Sequence, residues 1–126
     1  MKPKFIVKIP VWNQEVEVYV GSPEATQKYL EERFNKKLRK ANGLNKNVGL
    51  ADKFVNKKNK TEYAFIMWLA DLSNEVEGLK TITHETTHIT HAILRFVGCK
   101  PNFSNEESEA YMHEYIFGEI IKYIIK

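Results

Sequence analysis

The chain has 126 residues, 43% of them hydrophobic and 12% aromatic, which suits one folded domain over 1–126 and excludes a disordered polar chain. Its 19 basic and 16 acidic residues leave a mild net charge of +3, and the single cysteine, Cys99, excludes an internal disulfide or a cysteine-based zinc site. No run of about eighteen apolar residues is present and the first ten residues read as a strand rather than a secretory signal, so no membrane partner and a cytoplasmic location are expected.

In chain order, residues 4–10 and 14–20 alternate apolar and polar side chains (Phe5, Val7, Ile9; Val16, Val18, Val20), which predicts a β-hairpin turning near Trp12-Asn13-Gln14. Ser22-Pro23 has the chemistry of a helix start, a capping hydroxyl before a proline in the first turn. Leu30, Phe34, Leu38 and Ala41 then give a helical stripe through 23–41, stopped by Asn42-Gly43. After a loop over 44–49, residues 50–56 and 61–70 predict a second hairpin through Lys57-Lys58-Asn59-Lys60. Its second strand is apolar on both faces, the pattern of a strand covered on both sides.

A long helix is predicted over 75–97, opening on an Asn74–Glu77 capping box and closing at Gly98. Val76, Leu79, Ile82, Thr86, Ile89, Ile93 and Phe96 form one face; His84, His88, His91 and Arg95 form another. A last helix is predicted over 105–125 after Pro101, its greasy end interrupted by Gly118, Glu119 and Lys122. The expected fold class is α+β, a small, mainly antiparallel sheet of about four strands packed with three helices.

The chemistry concentrates in His84-Glu85-Thr86-Thr87-His88. On a helix, residues four apart stand on one face a turn apart, so two imidazole nitrogens can meet one metal ion. Glu85, beside them, is placed to act on a water at that metal rather than to bind it. A hydrolytic zinc site needs a third protein ligand and one open position. His91 shares the histidine face but lies two turns from His84. The other candidates are Glu106, Glu107 and Glu109 on the last helix, Glu107 sharing a face with the small Ala110.

The pairing of H-E-x-x-H with a downstream helix glutamate resembles the gluzincin metallopeptidases. More narrowly, T-H-E-T-T-H-I-T-H-A-I-L at 83–94 followed by N-E-E-S-E-A-Y at 105–111 resembles small zincin-like proteins encoded by bacteriophages, over residues 60–116. The resemblance implies a zincin-like fold, Zn2+ held by His84, His88 and Glu107, a peptide or protein substrate, and a place in the host cytoplasm. Where the thermolysin-like pattern carries an aspartate four residues after its ligand glutamate, this chain has Tyr111. Ser104-x-x-Glu107 also has the spacing of a capping box, which would engage Glu107 at a backbone amide.

The expected function is zinc-dependent hydrolysis of a peptide bond, Glu85 acting as general base toward a water at the metal. Tyr111, His113, Tyr115 and His91 are candidates for steadying the oxyanion. The strand before the active helix would offer hydrogen bonds to an extended peptide if it lay at the sheet edge. One alternative is a zincin-fold binding or structural protein without turnover. Another is a nucleic-acid-binding module on the basic stretch 36–60, against which stands an excess of lysine over arginine, 16 to 3.

Overall fold

A computed structural model describes residues 1–38, 48–99 and 103–125. The protein is α+β: a four-stranded mixed sheet in the order β1-β2-β4-β3 with three α-helices. The strands are β1 (Phe5–Ile9), β2 (Gln14–Val20), β3 (Gly49–Val55) and β4 (Tyr63–Leu69); the helices are α1 (Pro23–Phe34), α2 (Val76–Phe96) and α3 (Glu106–Ile121). Both predicted hairpins form, β1 against β2 and β3 against β4, each antiparallel. They are joined by a parallel pairing of β2 with β4, which makes the sheet mixed. No helix among the described residues is long and apolar enough to cross a membrane.

The alternation within each strand divides the core in two. Val16, Val18, Phe65, Met67 and Leu69 face one side, packed with Ile82, Ile89 and Ile93 of α2 and Met112, Ile116 and Ile120 of α3. Tyr19, Phe54, Ala64, Ile66 and Trp68 face the other, packed with Leu30 and Phe34 of α1. The sheet therefore lies between α1 and the α2–α3 pair, and β4, predicted to be covered on both faces, is buried from Ala64 to Leu69. On the α1 side, the Arg33 guanidinium grips Glu17 through Nη1 at 2.6 Å and Nη2 at 2.9 Å. Burial pushes the Glu17 carboxyl up, but the hydrogen bonds from Arg33 and Tyr19 outweigh it and hold the pKa below the ordinary carboxylate value.

Several boundaries differ from the sequence expectation. Ser22 caps α1 as predicted, its Oγ accepting from the Ala25 N–H at 3.2 Å. The helix ends at Phe34 instead of running to 41, because Asn35 adopts the left-handed conformation (φ 52°) and returns its N–H to the Glu31 carbonyl. Asparagine is among the few residues that tolerate this conformation. Leu38 leaves the helix yet still packs on the α1-side core; the predicted Asn42-Gly43 stop lies outside the described residues. The α2 cap is Glu75 and has no side-chain hydrogen bond, so the Asn74–Glu77 capping box does not form. At its far end Gly98 (φ 86°) allows the Cys99 N–H to reach the Leu94 carbonyl at 2.8 Å and the Gly98 N–H to reach that of Arg95 at 3.2 Å, a Schellman closure. Helix α3 is capped at Asn105 rather than Ser104 and ends at Ile121, four residues before the predicted 125.

The strand preceding α2 is central, so β4 has no free edge. Among the described residues, the edge on that side is β3. Its ends bond β4 through the Val48 carbonyl, which accepts from Ala70 at 2.9 Å, and the Asn56 N–H, which donates to Glu62 at 2.9 Å. Antiparallel alternation then turns the backbone N–H and C=O groups of Gly49, Ala51 and Lys53 toward the open side. The Lys53 N–H is taken by the Asp52 carboxylate at 2.8 Å, while Gly49 and Ala51, nearest Glu85, keep their backbone groups turned away from β4.

Candidate metal centre

Helix α2 lies with one face on the sheet and another in water. Ile82, Glu85, Thr86, Ile89 and Ile93 are buried, whereas His84 and His88 are exposed. Threonines are poor helix formers, but three of them here bond back along the helix: Thr81, Thr86 and Thr87 donate to the carbonyls of Glu77, Ile82 and Thr83 at 3.0, 2.6 and 3.0 Å. This satisfies hydroxyls that would otherwise compete with the backbone, and lets tertiary packing hold the helix.

One turn apart, His84 and His88 bring their Nε2 atoms to 3.1 Å, with the rings nearly perpendicular. Two nitrogens sharing a tetrahedral zinc at about 2.0–2.1 Å stand roughly 3.3 Å apart, so the pair fits one ion with almost no rearrangement. Glu85 completes a group in which one donor atom from each residue lies within 4.8 Å of the others. Unlike the histidines it is only 6% exposed. Burial raises the Glu85 carboxyl above its ordinary value of 4.5, opposed by the charge of His84. Its side chain presses on Gly49 at the start of β3. The donor set of two imidazoles and a neighbouring carboxylate suits zinc chemistry, with Glu85 offset toward the edge strand.

The α3 carboxylates fall differently. Helices α2 and α3 run antiparallel, the ring of His113 meeting Thr83 and the ring of His91 meeting Glu109. Glu107, exposed in the first α3 turn, is not part of the His84–Glu85–His88 group. By helical period it stands opposite the Met112–Ile116–Ile120 ridge that packs inward. Glu106 is likewise exposed. Glu109 reaches the histidine face of α2, its Oε1 2.5 Å from His91 Nε2. His91 is thus held by α3 and is not in the metal-capable group.

Three of the four oxyanion candidates are engaged elsewhere: His91 as above, His113 at the Thr83 carbonyl (3.2 Å), and Tyr115 donating to the Lys8 carbonyl on β1 (2.8 Å). Tyr111 is 67% exposed. Sequence reading missed Gly49, which it left in a loop. The available signal was a glycine opening a strand, a position where another group often approaches closely. Compared with protein-family models, with curated proteins and with solved structures, the chain matches none of them.

Proposed function

We propose that this protein is a zinc-dependent, metallopeptidase-like hydrolase of zincin-like fold. The observation that carries the reading is the convergence of His84 Nε2 and His88 Nε2 at 3.1 Å beside the buried Glu85. Neutral imidazoles at 84 and 88 would hold Zn2+, and a carboxylate from the first turns of α3 would complete the set. When bound, zinc supplies a lowered pKa for a water in its open position and polarisation of the substrate carbonyl. Glu85 would accept a proton from the attacking water on a carboxylate oxygen and deliver it to the leaving nitrogen. Burial raises its pKa, which makes the ionised carboxylate a stronger base toward that proton.

A peptide is the substrate class best matched by the surroundings. The outward N–H and C=O groups of Gly49 and Ala51 lie on the strand that touches Glu85, where an extended chain can pair with the sheet edge. This moves the substrate-aligning role from β4, which is central, to β3.

For the third ligand, resemblance selects Glu107, while the contact with His91 favours Glu109 as a second reading. The two are separable by zinc titration of Glu107→Gln and Glu109→Gln. The ligand's loss is expected to weaken zinc by more than the roughly 10–100-fold that removal of a supporting hydrogen bond costs. Unchanged affinity in both variants rules out both residues. The proposed function as a whole is tested by measuring zinc in protein purified without chelator, together with chelator-sensitive cleavage of a peptide library. Metal-free protein that does not take up added zinc would overturn it.

A further inference from the structure

Glycine at position 49 has no conformational reason to be there. Gly21 and Gly98 have positive φ (125° and 86°), which favours glycine, and an added Cβ at either meets nothing within 4 Å. Gly49 is the reverse case: its φ lies outside the positive range, so other residues could adopt its backbone, but the space is taken. A Cβ there would lie 2.8 Å from Glu85 Cγ, 2.9 Å from Oε2 and 3.1 Å from Cδ. Real Cβ atoms essentially never approach heavy atoms that closely, so the Glu85 side chain would have to move. At 6% exposure it cannot swing into water without leaving its site beside the histidines.

We infer that Gly49 is a positioning residue, whose missing side chain forms the socket that fixes the Glu85 carboxylate next to His84 and His88. The inference rests on the hydrolase reading for its catalytic consequence, but the socket itself is a steric fact that can be tested separately. The neighbouring features agree with it. Ala51, two residues on and on the same face of β3, is also small and packs against the same core as α2. Only beyond it does a long side chain return, with Lys53 Nζ 4.4 Å from the Phe96 ring. The edge strand is thus cut back to small residues where α2 brings its acid forward. The same residue that seats the acid also turns its backbone to the open edge, so base and substrate alignment share one element.

The test is a pair of double-mutant cycles. In zinc-loaded protein, with the best-cleaved member of a dye-quenched peptide library, Gly49→Ala is expected to lower kcat roughly 10–100-fold, the scale of a catalytic group misplaced by about 1 Å. KM and zinc stoichiometry should stay as in wild type. In the Glu85→Ala background, which lacks all three atoms the added methyl would meet, the same change should cost the residual turnover little or nothing further. An equal loss in both backgrounds, or an unchanged kcat in Gly49→Ala, overturns the proposal. The second cycle reads melting temperature in metal-free protein. Gly49→Ala should lower it with Glu85 present and not in the Glu85→Ala background; additive shifts overturn the socket. Wild-type protein that binds zinc yet cleaves no peptide overturns the hydrolase reading, and a non-additive melting cycle in that same protein upholds the socket.

Discussion

Glu85→Gln is expected to reduce peptide hydrolysis by roughly 10²–10⁴-fold while leaving zinc content and substrate KM close to wild type. Glutamine keeps the shape and burial of the side chain but cannot accept the water's proton. The histidines that hold the ion are exposed and do not depend on Glu85 for their orientation, since their own rings meet at 3.1 Å. The same substitution should stabilise the metal-free protein. A carboxyl whose folded pKa is raised above its unfolded value contributes stability that is present below the unfolded value and lost as pH rises through the folded one. Above the folded value the ionised, buried Glu85 is therefore a burden, which glutamine removes. Metal-free Glu85→Gln should melt above wild type at pH 7, with the gap closing as pH falls through the raised folded value of Glu85 and gone below its unfolded one. Lower melting at pH 7 would contradict this, and undiminished turnover in the zinc-loaded variant would exclude Glu85 as the base.

His88→Ala and His84→Ala are expected to abolish stoichiometric zinc binding, and with it turnover. Each removes one of the two nitrogens that define the centre, and the remaining imidazole cannot hold the ion with one α3 carboxylate at comparable affinity. Because both side chains are exposed, the metal-free fold should change by no more than about 0.5 kcal/mol. Calorimetric zinc titration beside chemical denaturation separates the two effects. Zinc held at wild-type affinity by His88→Ala would remove the basis of the proposed centre.

The parts of the site that were legible in the sequence are those set by local geometry. His84, Glu85 and His88 lie within one turn of a helix, so their spacing alone predicts that the imidazoles converge and the acid turns aside. The two-sided burial of β4 was legible for the same reason, since alternate residues of a strand share a face. What sequence could not show depends on partners distant along the chain. The parallel pairing of β2 with β4, which moves the free edge from β4 to β3, leaves no mark in either strand's alternation. Gly49 read as loop because a glycine after Asn47-Val48 looks like a turn; its reason for being there is a side chain 36 residues later. Asn35 ended α1 early although the apolar stripe continued through Leu38 to Ala41, a case of backbone conformation overriding periodicity. The third ligand depends on how α3 rotates against α2, and three neighbouring glutamates offer the sequence no way to choose.

The contiguity of the site along the chain has a kinetic consequence. Gly49, Glu85 and both histidines lie within one stretch, β3–β4–α2, whose strands pair as a hairpin. Closing these contacts needs shorter loops than docking β1–β2, which pairs with β4 in parallel across α1 and the 35–48 connection. Folding is therefore expected to shape the acid's socket before the sheet is complete. In pulse-labelled hydrogen exchange, amides of Ile66 and Ile89 should gain protection ahead of the Val16–Val20 amides that face β4. Simultaneous protection of both sets would show instead that the sheet and the site form in a single step.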